Sequence, residues 1–178
     1  MPASAIVALA APSTVSASDS SHPLTALSPH LRSALGAAAA RRLTAPPATP
    51  PVTSQPFVLV VCSSAIRCTE YVKAMRPLHL PHNALLKAFA KHIKLAEQQS
   101  QLDTSDVRVA VGTPKRLLDL YVGGALRLER LVLCVVDCGV DAKKYSLLTL
   151  PGVKEDFFAF YQKLHPAVRE GKVKLSLF

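Results

Sequence analysis

The stretch Val107-Arg108-Val109-Ala110-Val111-Gly112-Thr113-Pro114-Lys115-Arg116-Leu117-Leu118-Asp119-Leu120 runs an apolar strand straight into a helix. Thr113 stands at the N-cap position and Pro114 at the first helical position, where its missing N–H costs nothing. Lys115 and Arg116 fill the first turn with cations, the sign that the helix dipole disfavours. Cations beside free backbone N–H groups make an anion-binding position.

Outward from this stretch the chain alternates strands and helices. Phe57-Val58-Leu59-Val60-Val61-Cys62 and Leu131-Val132-Leu133-Cys134-Val135-Val136 are apolar without alternation, the pattern of strands buried on both faces of a parallel sheet. Ser63-Ser64 turns the first into a helix over 65–75. Asn83 is expected to cap a helix over 84–98, with Leu85, Leu86, Phe89, Ile93 and Ala96 as its apolar stripe. Lys87, Lys91 and Lys94 then form an opposed basic stripe, read first as a solvated helix face. The helix after Pro114 ends at Gly123-Gly124. A further helix over 154–164 spends its aromatic residues on the core, and 173–178 is a last strand. The order predicts an α/β domain with a mostly parallel sheet and helices on both faces. Ligands of such sheets bind at the carboxyl ends of strands. Ser63-Ser64, 112–116 and Asp137 lie there.

Residues 1–56 differ from the rest. Nine of the 14 prolines fall there, Ala, Ser and Thr fill most of the remainder, and Asp19 is the only acid. This reads as a mobile arm, with one short helix over 28–42. The same composition also fits an organelle transit peptide. The globular part is expected over 57–178. Lys plus Arg outnumber Asp plus Glu by 21 to 12, giving a net charge of +9, which favours polyanionic partners, nucleic acid before membrane. No secretory signal or membrane-spanning run is expected. Cys62, Cys68, Cys134 and Cys138 read as reduced thiols. Neither their spacing nor His79-x-x-His82 has the grammar of a zinc site, so no metal is expected.

The run Gly-Thr-Pro-Lys-Arg-Leu-Leu-Asp-Leu resembles the Thr-Pro-Gly-Arg motif of DEAD-box RNA helicases, with Lys115 in place of Gly. Residues 62–65 stand where that family carries Pro-Thr-Arg-Glu, and only a hydroxyl survives. Residues 128–137 resemble Leu-Lys-x-Leu-Val-Leu-Asp-Glu-Ala-Asp, with Cys134 and Val135 at the two acids and Asp137 at the last. No Gly-x-x-x-x-Gly-Lys-Ser/Thr phosphate loop is in the sequence, and no second helicase domain is expected. Val-Cys-Ser-Ser-Ala-Ile-Arg-Cys (61–68), Lys-Ala-Phe-Ala-Lys-His-Ile-Lys (87–94) and Val-Gly-Thr-Pro-Lys-Arg (111–116) together resemble the Cms-one family of ribosome-biogenesis factors, degenerate half-helicases. The family's acidic N-terminal tail is not seen here.

The resemblance implies a three-layer RecA-like (P-loop-NTPase-like) fold lacking the phosphate loop. It also implies work in the nucleolar small-subunit processome, the 90S pre-ribosome, with pre-ribosomal RNA and processome proteins as partners. Phosphoryl transfer needs a phosphate cradle, a metal-holding acid and a positioned water. The chain is therefore expected to be no enzyme, with no catalytic residue, cofactor, small-molecule substrate or membrane. The candidate RNA-binding residues are Thr113, Lys115, Arg116, Ser63, Ser64, Arg67 and Arg108, gripping phosphates rather than reading bases. Two alternatives stay open: a residual nucleotide-binding or ATP-dependent helicase-type enzyme, and a pure protein scaffold, including one of mitochondrial ribosome assembly.

Overall fold

The computed structural model describes residues 24–90 and 93–178. A 3-10 turn, Leu24–Ala26, leads into α1 (Leu27–Thr44). Then follow β1 (Val58–Val61), α2 (Ala65–Ala74), β2 (Leu85–Ala88), α3 (Leu95–Thr104), β3 (Val109–Gly112), α4 (Pro114–Val122), β4 (Leu133–Val136), α5 (Val153–Arg169) and β5 (Lys174–Leu177). The five strands form one all-parallel sheet in the order β2-β3-β1-β4-β5.

All four residues of each of β1, β3 and β4 are buried. Successive side chains still alternate between faces. Leu59, Val61, Ala110, Cys134 and Val136 join a core roofed by α3, α4 and α5. Val58, Val60, Val109, Val111, Leu133 and Val135 join a second core, roofed by α1 and α2. A continuous apolar run in the sequence is thus two interleaved faces, each covered.

Chain direction explains which helix lies where. From β1 the chain steps outward to β2 through α2. Every later step, β2 to β3, β3 to β4 and β4 to β5, runs the opposite way along the sheet. Crossovers of one hand must therefore place α2 on one face and α3, α4 and α5 on the other. The connections leaving the neighbours β1 and β4 diverge, so a crevice at the strand ends opens between those two.

Two expectations are corrected. Residues 24–56 were expected in a mobile arm, yet α1 packs on the sheet with Leu27, Leu31, Ala34 and Leu43 buried. The helix breaks at Gly36 (φ 75°, ψ 164°). A mid-helix glycine costs about 1 kcal/mol; each buried leucine returns roughly 1.5–3 kcal/mol, so burial wins. The start of the expected arm, residues 1–23, lies outside the described residues. The helix expected over 84–98 is instead strand β2, a loop and the first part of α3. Lys87 is on the edge strand, Lys94 precedes α3, and Lys91 lies outside the described residues, so no basic helical stripe links them. Strand pairing decided this: the carbonyls of Ala84 and Ala88 accept from Arg108 and Thr113 of the β3 segment, and a helix there would leave one side of β3 unpaired.

Candidate nucleic-acid interface at the strand ends

Ser64 caps α2: its hydroxyl accepts from the Arg67 N–H at 3.2 Å, in the position the sequence suggested. Ser63 beside it is half-buried. On the neighbouring strand end, Gly112 is required by crowding. A Cβ there would come within 2.5 Å of the Ala88 carbonyl oxygen and 2.9 Å of Leu117 Cγ. Thr113 takes the extended N-cap conformation and its carbonyl accepts from the Leu117 N–H. Its hydroxyl makes no capping hydrogen bond, so the side-chain cap expected of it is not formed.

The cations of the first α4 turn divide. Lys115 is exposed and pairs with Asp119 one turn on, at 2.7 Å, a bond that raises the pKa of its ammonium. An exposed pair of this kind is screened by solvent and yields to a competing anion. Arg116 turns inward, donating to Gln98 Oε1 at 2.9 Å and to the Ile93 carbonyl at 3.4 Å, and so ties α4 to α3.

Arg108 is not part of this surface, contrary to expectation. It lies at the amino end of its strand segment and is only 3 % exposed. Its guanidinium binds the Asp106 carboxylate and donates to the carbonyls of Arg42, Leu43, Ala45 and Pro46. Those are the orphan acceptors at the end of α1 and just beyond it. Arg130 donates to the other Asp106 oxygen. Burial raises the Asp106 pKa, but its hydrogen bonds to Arg130 and Arg108 outweigh that and hold it below the usual carboxylate value.

The crevice between β1 and β4 is filled. Asp137 follows β4 and is fully buried. Arg67 grips it with two bonds, Nε to Oδ2 at 3.0 Å and Nη2 to Oδ1 at 2.7 Å. The Tyr71 hydroxyl and the Gly139 N–H donate to Oδ1 at 2.9 and 3.0 Å. A Cβ at Gly139 would meet Arg67 Nη2, so any larger residue there displaces the guanidinium from Asp137. The bond to Asp137 holds the Arg67 pKa above its usual value, and burial with the Asp137 charge pushes the Tyr71 phenol up. Arg67, expected on the RNA side, is thus mainly a strut. This cluster went unread because its partners are 70 residues apart; the only signals were an acid closing an apolar strand and an aromatic on the facing helix.

Three thiols are held neutral. Burial pushes Cys134 to about 12 and raises Cys138, while burial and the neighbouring Cys68 raise Cys62. None of these three has the depressed pKa of a nucleophile. Among the described residues no cluster of three His, Cys, Asp or Glu could hold a metal ion, and no helix is long and apolar enough to cross a membrane.

Comparison with known proteins adds the context. A family model described as "CMS1: U3-containing 90S pre-ribosomal complex subunit" matches residues 33–178. Protein CMS1 of Chaetomium thermophilum is 38% identical over 99 residues, 55% of this chain and 39% of that protein. Protein CMSS1 of Danio rerio is 36% identical over 128 residues, 71% of this chain and 44% of that one. Protein CMSS1 of Homo sapiens is 31% identical over 124 residues, 68% and 44% of the two chains. The chain spans about two fifths of the length of these relatives. Among solved structures, a DEAD box protein from the hyperthermophile Methanococcus jannaschii aligns with a TM-score of 0.49 at 19% identity, covering 69% of this chain and 31% of that one.

Proposed function

Because the chain belongs to the CMS1 family of U3-containing 90S pre-ribosomal complex subunits, we propose that it is a non-catalytic assembly factor of the small ribosomal subunit. On this reading it holds pre-ribosomal RNA at the lip formed by Thr113 and Lys115, with Ser63 and Ser64 alongside. It works in the nucleolus among processome proteins.

The observation that carries the reading is the state of the β1/β4 crevice. An acid that serves a metal, a water or a proton needs a free lone pair facing a ligand. Asp137 turns none to solvent: it is fully buried, its Oδ1 accepts from Arg67, Tyr71 and Gly139, and its Oδ2 accepts from Arg67. Next to it Cys134 and Val135, where the resembled motif has two acids, point into opposite cores. The end of β3 carries the half-buried Thr113, its hydroxyl not used in capping, and the exposed ammonium of Lys115. Those groups suit phosphate contacts, which position a nucleic acid without reading its sequence.

Filter binding to structured pre-ribosomal RNA across a salt series tests the grip. Lys115→Glu is expected to weaken binding and make the logarithmic salt slope shallower by about one unit; unchanged affinity and slope would sink the lip. Calorimetric titration with ATP tests the other half, and saturable micromolar binding would overturn the non-catalytic reading. The inward engagement of Arg116 favours a second reading, a protein scaffold that only follows RNA nearby. Co-sedimentation with pre-ribosomes that survives ribonuclease would favour it.

A further inference from the structure

Between Tyr71 and Ala96 the chain carries five strong bases, Lys73, Arg76, Lys87, Lys91 and Lys94, and no acid. Folding brings part of this segment together away from the strand-end lip. A groove runs along the β2 edge, between that strand and the end of α2 with the 3-10 turn Arg76–Leu78. Its floor includes the nearly buried Met75 and the half-buried Val72 and Leu85. Exposed Arg76, His79 and Lys87 stand around it. Among its described lining residues there is no Asp, Glu, Phe, Tyr or Trp.

The outer face of β2 is closed to strand addition on its acceptor side. Gln101 Nε2 donates to the carbonyls of Asn83 and Leu85, and Gln98 Nε2 to those of Lys87 and Phe89. Two glutamines one helical turn apart thus occupy successive outward acceptors, a device that protects an edge from indiscriminate pairing. An occupant of the groove is therefore held by side chains rather than by a new sheet ladder.

The geometry points to a docking groove for an extended acidic peptide whose apolar side chains sit on Val72, Met75 and Leu85 and whose carboxylates meet Arg76, His79 and Lys87. Charge complementarity selects the acid, because the rim is cationic and the lining offers it no internal partner. The apolar floor without an aromatic ring selects peptide over single-stranded RNA, whose bases bind by stacking on aromatic faces. This inference adds a protein-facing surface to the proposed function and uses none of the residues assigned to the RNA lip.

The test is selection from a random 12-residue phage-displayed peptide library against the full chain. Fluorescence anisotropy with the labelled winning peptide follows. Expected are peptides interleaving Asp or Glu with Leu, Ile or Val, whose affinity falls at least tenfold in Arg76→Gln/Lys87→Gln and stays unchanged in Lys115→Glu. Both replaced side chains are exposed, and a thermal melt matching the parent protein checks the fold. Selection of peptides without acids, no selection at all, or binding indifferent to the double substitution overturns the inference. So does a 12-nucleotide oligouridine that displaces the peptide and loses affinity in the same variant, since the groove is then a nucleic-acid surface. Loss of RNA binding in Lys115→Glu with peptide binding intact separates the two sites.

Discussion

Asp137 and Arg67 show how one pair can occupy the place where an α/β sheet usually receives its ligand. The carboxylate is fully buried while the arginine side chain keeps 27% of its exposure, so one partner has lost its water and the other only part of it. Removing the acid strands the Tyr71 hydroxyl against the sheet and leaves the Arg67 guanidinium only its pair with Glu70. Asp137→Ala is expected to cost on the order of 3 kcal/mol in urea denaturation, because breaking a buried pair exceeds the worth of the pair itself. Arg67→Met combined with Asp137→Leu should recover most of that loss. A single Asp137→Ala variant within about 0.5 kcal/mol of the parent, the ordinary range of surface changes, would show that the cluster is not a strut.

At the scale of elements, α1 and β2 are where local pattern and fold part company. The α1 segment looks like low-complexity Ala and Pro sequence, yet Leu27, Leu31 and Ala34 are spaced four and three apart and all are buried. That stripe was legible; composition masked it. Leu31→Ala is expected to lower stability by about 2–5 kcal/mol, the range for a buried leucine truncation, whereas in a mobile arm it would change nothing measurable. Chemical denaturation followed by circular dichroism distinguishes the two. The β2 segment misled in the other direction. Leu85, Leu86, Phe89, Ile93 and Ala96 fit helical spacing, but Leu86 and Ala88 are buried while Lys87 between them is exposed, the two-residue period of an edge strand. Four residues are too few for that period to outweigh a longer helical match. By contrast β1, β3, β4 and α4 were legible because their burial is symmetric or their caps are explicit.

The whole molecule is tied at the opposite end from its strand-end lip by Asp106. This carboxylate links Arg108, which holds the end of α1, to Arg130, which leads into β4. Arg130 and Arg42 also lie over the Phe57 ring, 5.4 and 5.3 Å from its centre. Because the folded Asp106 has a depressed pKa, its contribution is fully present above the unfolded value of about 4. It is lost as pH falls through the folded value. The urea midpoint is therefore expected to drop below about pH 4, and Asp106→Asn should flatten that acid limb while lowering stability near neutrality. Parallel acid limbs in the two proteins would remove Asp106 from the account.

Apart from β2, the sequence alone determined the alternating α/β pattern, the buried strands β1, β3 and β4 and the Thr-Pro helix start, since each rests on neighbours within a few residues. The family likeness was legible for the same reason, being carried by short contiguous motifs. Only the tertiary structure decided which cations face outward. Lys115 and Arg116 are adjacent and chemically alike, yet one meets solvent and the other Gln98. Arg67 and Arg108 looked like further fingers of the same patch; one grips Asp137 and the other holds the end of α1. A charge is placed by whichever buried acid or unsatisfied carbonyl the fold brings to it: Asp137 lies 70 residues from Arg67, and the carbonyls that Arg108 holds lie 62 to 66 residues from it. The proposed phosphate grip is consequently narrower than the sequence suggested: Thr113 and one lysine at the end of β3, while the β1/β4 crevice holds the protein's own ion pair.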